Sequence, residues 1–175
     1  FAPFFALYLN SAGMNAVEIG VLMALPQITR IVAPHLWGWL ADRGGRRIGI
    51  VRASGAAGTV AFFGVFAGDS FALLFVVLFA MMFFWSAALP LVEATTLSHL
   101  GDEMARYGSI RVWGSVGFIA AVVAVGYLID ATTPRSVLWV ISGLMVTMLL
   151  LSFVIGEAKV VPHPGDELPV WQIVR

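Results

Sequence analysis

The chain has no cysteine, so disulfides, thiolate metal sites and cysteine nucleophiles are excluded together. Charge is scarce as well. Asp, Glu, Lys and Arg make up 11% of the 175 residues and sum to a net charge of zero, against about 25% charged residues in soluble domains. A net charge of zero gives no argument for a nucleic-acid partner, and the basic residues matter through where they sit. No His, Asp and Glu cluster has metal-ligand spacing, no glycine-rich loop is placed to cradle phosphate, and no serine stands in a nucleophile elbow. The chain therefore carries no catalytic constellation and calls for no cofactor. What it has in quantity is apolar surface, 60% of all residues, where soluble domains hold roughly 45–50%. That is the composition of a membrane protein.

The apolar residues fall in long runs with short polar breaks. Spans are predicted near residues 17–40, 48–67, 71–97, 109–129 and 137–155, each long enough to cross a hydrocarbon core about 30 Å thick. The opening FAPFFALYLN has half that length and reads as the stump of a first span, which makes six. Lipid offers the backbone no hydrogen-bond partner, so runs of this length must be helices, and they lack the period-two polarity of barrel strands. The predicted fold is all-α, a polytopic helical bundle over residues 1–155. Residues 156–175 turn polar and proline-rich, as a connecting loop does.

Lys and Arg give the bundle a direction. One set of loops holds Arg43, Arg46, Arg47 and Arg52, then Arg106, then Lys159 and Arg175, whereas the opposite loops hold Arg135 alone. By the positive-inside bias, loops 2–3, 4–5 and 6–7 face the cytoplasm of a cell-membrane protein. Small residues at Ser54 and Gly58, and at Gly114 and Gly117, are expected where helix backbones approach closely. The bulky cluster at 79–85 is expected to face lipid or neighbouring helices rather than a cavity.

The loop at 38–47, GWLADRGGRR, concentrates charge between two apolar runs. Gly38 suits close packing of the end of span 2, and Gly45 suits a chain reversal. Asp42 can accept charge-assisted hydrogen bonds from Arg43, Arg46 or Arg47, or from a free helix N-terminus. Written G-x-L-A-D-R-x-G-R-R, the loop resembles, position for position, the cytoplasmic 2–3 loop motif of the major facilitator superfamily of transporters. The segment PLVEATTLSHLGDEMARYGSIRVWGSVGF, residues 90–118, is similar to the span 4 to span 5 region of a subgroup that includes phenylpropionate permeases and, more distantly, lactose and nucleoside proton symporters. The resemblance implies twelve spans in two six-helix halves. This chain would then be the N-terminal half with its first helix truncated, followed by the start of the central cytoplasmic loop, with the C-terminal half absent. It also implies that Gly38, Asp42, Arg43, Gly45, Arg46 and Arg47 form a latch that clasps the other half in one conformation. The plainer reading of these arginines is that they fix topology and touch anionic lipid.

Three ionisable residues of the runs stand out: Arg30 in span 2, Glu93 late in span 4 and Arg111 early in span 5. A charge at the bilayer centre costs about 2.5–3.5 kcal/mol on insertion scales, which makes each a functional-site candidate. Glu93 and Arg111 are equidistant in sequence from Asp102 in the connecting loop, so antiparallel helices would hold them at one depth and let them pair. The resemblance implies that this pair belongs to a substrate cavity; the alternative is that both snorkel to the interface. Arg30 shares a helical face with Met23, Gln27, Pro34 and Trp37, suited to a wet cavity, or else ties to carbonyls of a helix broken near Pro26 and Pro34. Two arginines against one glutamate favour an anionic substrate such as an aromatic carboxylate, with Glu93 as proton carrier. His35 and His99 are expected to be interfacial or solvated. The expected partners are a small solute, protons, the lipid bilayer and a second six-helix half. The expected function is proton-coupled secondary transport by alternating access, with a non-transporting membrane sensor or assembly partner as the rival.

Overall fold

The computed structural model describes residues 2–44, 47–101 and 103–156. Among them the order is α1 (Ala2–Ser11), α2 (Ala16–Gly44), α3 (Arg47–Phe63) closed by a 3-10 turn (Gly64–Ala67), α4 (Phe71–Trp85), α5 (Ala88–Leu100), α6 (Met104–Ala131) and α7 (Ser136–Ser152). The described residues form no strand. Four apolar stretches, Ala16–Ala41, Arg47–Ala67, Phe71–Leu100 and Arg106–Ala131, are long enough to cross a membrane, and α7 is a shorter apolar helix.

The predicted run 71–97 is one apolar stretch but two helices, α4 and α5, and the cause is Pro90. A proline has no N–H for the carbonyl four residues back and its ring crowds that carbonyl, which places the fault at Ser86. The chain turns there: Ser86 Oγ donates to Phe83 O at 2.7 Å, and Ala87 N–H reaches only Phe84 O. The Phe83 carbonyl also accepts from Trp37 Nε1–H of α2 at 3.0 Å, so the break is sealed by a neighbouring helix. Pro26 and Pro34, by contrast, lie inside an unbroken α2. Thr29 Oγ1 donates to Leu25 O and Pro26 O there, and the break that would have given Arg30 its carbonyl ties does not form.

Helix starts follow local signals. Asn15 Oδ1 accepts from Val17 N–H and Glu18 N–H, and Glu18 Oε2 accepts from Asn15 N–H, all at 3.0 Å, a reciprocal capping box. Gly13 at φ +86° makes the turn between α1 and α2, a conformation that other residues adopt only with strain.

The main core joins Phe5, Tyr8 and Leu9 of α1, Phe62 and Val65, Leu74 and Leu78 of α4, and Leu138 of α7. A second, smaller cluster of Ala41, Val51, Ala87 and Leu91 closes the other end. The approach expected at Gly58 is present, since a Cβ there would lie 3.5 Å from Met81 O of α4, and Ser54 is buried. Gly38, Gly114 and Gly117 meet no described atom within 4 Å of a built Cβ, so the close packing expected of them is not made within the described residues. Among the four long stretches, that of α6 is the least covered by the rest of the chain.

Candidate substrate and proton site

The turn between α5 and α6 sets these helices antiparallel, and the equal spacing of Glu93 and Arg111 from it brings them level. Arg111 Nη1 donates to Glu93 Oε1 at 2.9 Å. The same Nη1 donates to Tyr107 Oη, also at 2.9 Å, one turn earlier on α6. The side chains of Arg111 and Glu93 remain 66% and 36% exposed, so the pair is presented on a face that the described chain leaves open. Glu93 Oε2 and the remaining N–H groups of Arg111 have no partner among the described residues. The site thus offers an acceptor and several donors side by side, which suits a solute carrying both hydroxyl hydrogens and oxygens.

Arg30 is elsewhere. It lies on the wall of a cavity of about 460 Å³ between α2, α4 and α7, with Met23, Pro26 and Gln27 on its own helix and Met81, Met82 and Trp85 opposite. Arg30 makes no ion pair or hydrogen bond with any described residue. The wall corrects two expectations. Met81, Met82 and Trp85 of the bulky cluster line a cavity after all, while Trp37 leaves that face to stack on Phe83 and Phe84 at centroid distances of 5.5 and 6.0 Å. Ile141 and Leu144 line both this cavity and a smaller apolar hollow beside Phe4 of α1.

In the charged loop, Gly45, Arg46 and the side chain of Asp42 lie outside the described residues. Arg43 stacks its guanidinium 4.4 Å over the Trp39 ring, and Arg47 Nη1 reaches Ser98 Oγ of α5 at 3.5 Å. Arg52, expected only to set topology, does more. Its Nε and Nη2 donate to Ser152 O and Ile155 O at 3.2 and 2.9 Å, capping the end of α7, with Phe153 beneath the guanidinium. At the other end of the bundle Tyr8 Oη donates to Asp69 Oδ1 at 2.7 Å and Arg135 stands 3.8 Å from Asp69 Oδ2, tying α1, the α3–α4 connection and the start of α7 together. His35 and His99 each place Nδ1 at 3.0 and 2.9 Å from the carbonyl one turn back.

Residues 1–166 match the family described as MFS_1 like. The maltose permease of Geobacillus stearothermophilus is 40% identical over 134 residues, 73% of this chain and 33% of the permease. A probable 3-phenylpropionic acid transporter of Escherichia coli K12 is 26% identical over 89% of this chain and 41% of its own length. A putative nucleoside transporter, YegT, of the same organism is 28% identical over 70% of this chain and 29% of its own length. The chain thus spans between about a third and two fifths of the first two relatives.

Proposed function

The chain belongs to the MFS_1 like family, whose relatives here are multi-pass membrane transporters of the major facilitator superfamily, and from that premise we propose that the full protein is a proton symporter for a small organic solute. It works by alternating access, and this chain contributes the N-terminal half of the path, with a C-terminal half as its partner. The observation that supports this reading best is the Glu93–Arg111 pair, two ionised groups inside apolar helices, bonded to each other yet left open on one side. Glu93 is the proton carrier and Arg111 the principal hydrogen-bond donor to cargo.

A neutral pair attracts neither cations nor anions, so the cargo read from it is hydroxyl-rich, of the sugar or nucleoside kind, in keeping with the maltose permease among the relatives. Arg30 favours a second reading. It has no counter-charge among the described residues, so where its cavity is open to solute it would draw an organic anion, an aromatic carboxylate included. Loops 2–3, 4–5 and 6–7 lie in the cytoplasm by their arginine content, and the loop holding Gly38, Asp42, Arg43, Gly45, Arg46 and Arg47 is a latch for the second half.

The test is uptake by the full-length protein in proteoliposomes with an imposed proton gradient, against maltose, a nucleoside and 3-phenylpropionate. Gradient-dependent accumulation of one of them supports symport. Binding without flux, with the bound response intact in Asp42→Asn, assigns the fold to a sensor instead.

A further inference from the structure

The geometry around Arg111 contains one group that neither charge balance nor helix packing requires. Guanidinium and carboxylate groups left to themselves favour the two-bond, fork-to-fork pair, which is both stronger and more closed. Here a single NH2 group of Arg111 is divided between acceptors on two helices, Glu93 Oε1 of α5 and Tyr107 Oη of α6, each at 2.9 Å. Both hydrogens of Nη1 are engaged, and neither Nη2 nor Nε bonds Glu93.

We infer that Tyr107 is a positioning residue that holds the Glu93–Arg111 pair open. Its phenolic oxygen anchors Nη1 beside Glu93 Oε1, so that re-aiming the guanidinium to bring Nη2 or Nε onto Glu93 Oε2 costs the Tyr107 bond, and Glu93 Oε2 and the other N–H groups of Arg111 are left for cargo and proton. The hydroxyl accepts from Arg111, so its own hydrogen is directed elsewhere, and what the position requires is the oxygen rather than the ring. Tyr107 is half-buried, one turn from Arg111 on the same helix, so the oxygen is held in place by the backbone of α6. The function of this arrangement rests on the proposal that the pair lies on the transport path; the geometry itself does not.

The experiment is Tyr107→Phe in the full-length protein, which keeps the ring and removes only the oxygen. In membranes, dicyclohexylcarbodiimide modification of Glu93, followed by peptide mass spectrometry, reads the availability of its carboxyl group. Modification should slow about fivefold in Tyr107→Phe, the factor expected for one hydrogen bond redistributed, and should quicken in Arg111→Gln. In proteoliposomes with labelled maltose as probe, KM should rise about fivefold while the maximal exchange rate is retained. Wild-type labelling kinetics of Glu93 in Tyr107→Phe overturn the positioning role, and so does a fall in maximal rate at unchanged KM. If the wild-type protein moves no solute, the transport proposal fails while the labelling comparison still decides the role of Tyr107.

Discussion

Replacing Glu93 by Gln should separate accumulation from exchange. Gln has the size of Glu and keeps a carbonyl oxygen where Glu93 Oε1 now accepts from Arg111 Nη1 at 2.9 Å, so the contact between α5 and α6 survives. What disappears is the group that can carry a proton. With one carboxyl on the path and one proton per cycle, a gradient of one pH unit supplies about 1.4 kcal/mol, enough for at most about tenfold accumulation of an uncharged solute. In proteoliposomes loaded at pH 7.5 and diluted to pH 6.5, the wild type should approach that ratio, whereas Glu93→Gln should equilibrate the same solute without concentrating it. Counterflow of labelled against unlabelled solute across equal pH should persist in the variant, because no proton need be exchanged with water. Two outcomes refute the reasoning. Wild-type accumulation by Glu93→Gln removes the carboxyl from coupling, and an equal loss of accumulation and counterflow makes Glu93 a binding group only.

Three further expectations concern the scaffold, each read in detergent-solubilised protein. A Cβ at Gly64 would stand 2.7 Å from Val77 Cγ2, so Gly64→Ala should destabilise by about 1–3 kcal/mol, and adding Val77→Ala should recover part of that loss in thermal unfolding. Tyr8→Phe and Asp69→Asn each remove or weaken the 2.7 Å bond across the bundle end; each should cost about 1 kcal/mol and the double variant little more than either, whereas full additivity would deny the coupling. Arg52→Gln removes the donors that cap α7 at Ser152 O and Ile155 O, so hydrogen–deuterium exchange should quicken across 149–155 and stay unchanged in α4.

The fold was legible where the bilayer imposes it. A backbone in lipid must bond to itself, so apolar length translates directly into helix, and the boundaries of α2, α3, α6 and α7 fall within a few residues of the polar breaks. The fault between α4 and α5 was legible in Pro90, one turn beyond Ser86, yet α2 carries two prolines and runs straight through both. The difference lies in the neighbours. The Thr29 hydroxyl donates to Leu25 O and Pro26 O, not to Leu22 O or Arg30 O, the carbonyls that the prolines of α2 leave without a donor, and α2 runs on, whereas the fault in the longer run frees Phe83 O for Trp37, a residue 46 positions away. No local pattern contains that partner, so proline alone cannot predict which helix breaks.

The same distinction divides the candidate site. Glu93 and Arg111 could be paired from the sequence because a tight antiparallel turn converts equal spacing into equal depth, which is a one-dimensional argument. Arg30 could not be placed by that means, for its surroundings come from α4 and α7. Tyr107 was missed although one-turn spacing on α6 was available, because a tyrosine near a helix start is equally at home at the membrane interface. Its oxygen becomes informative only once Arg111 Nη1 is seen to serve two acceptors at the same 2.9 Å. A charge pair in lipid is under pressure to close upon itself, and a transporter that uses the pair must keep it from doing so; a neutral acceptor on the same helix meets that need without adding a charge.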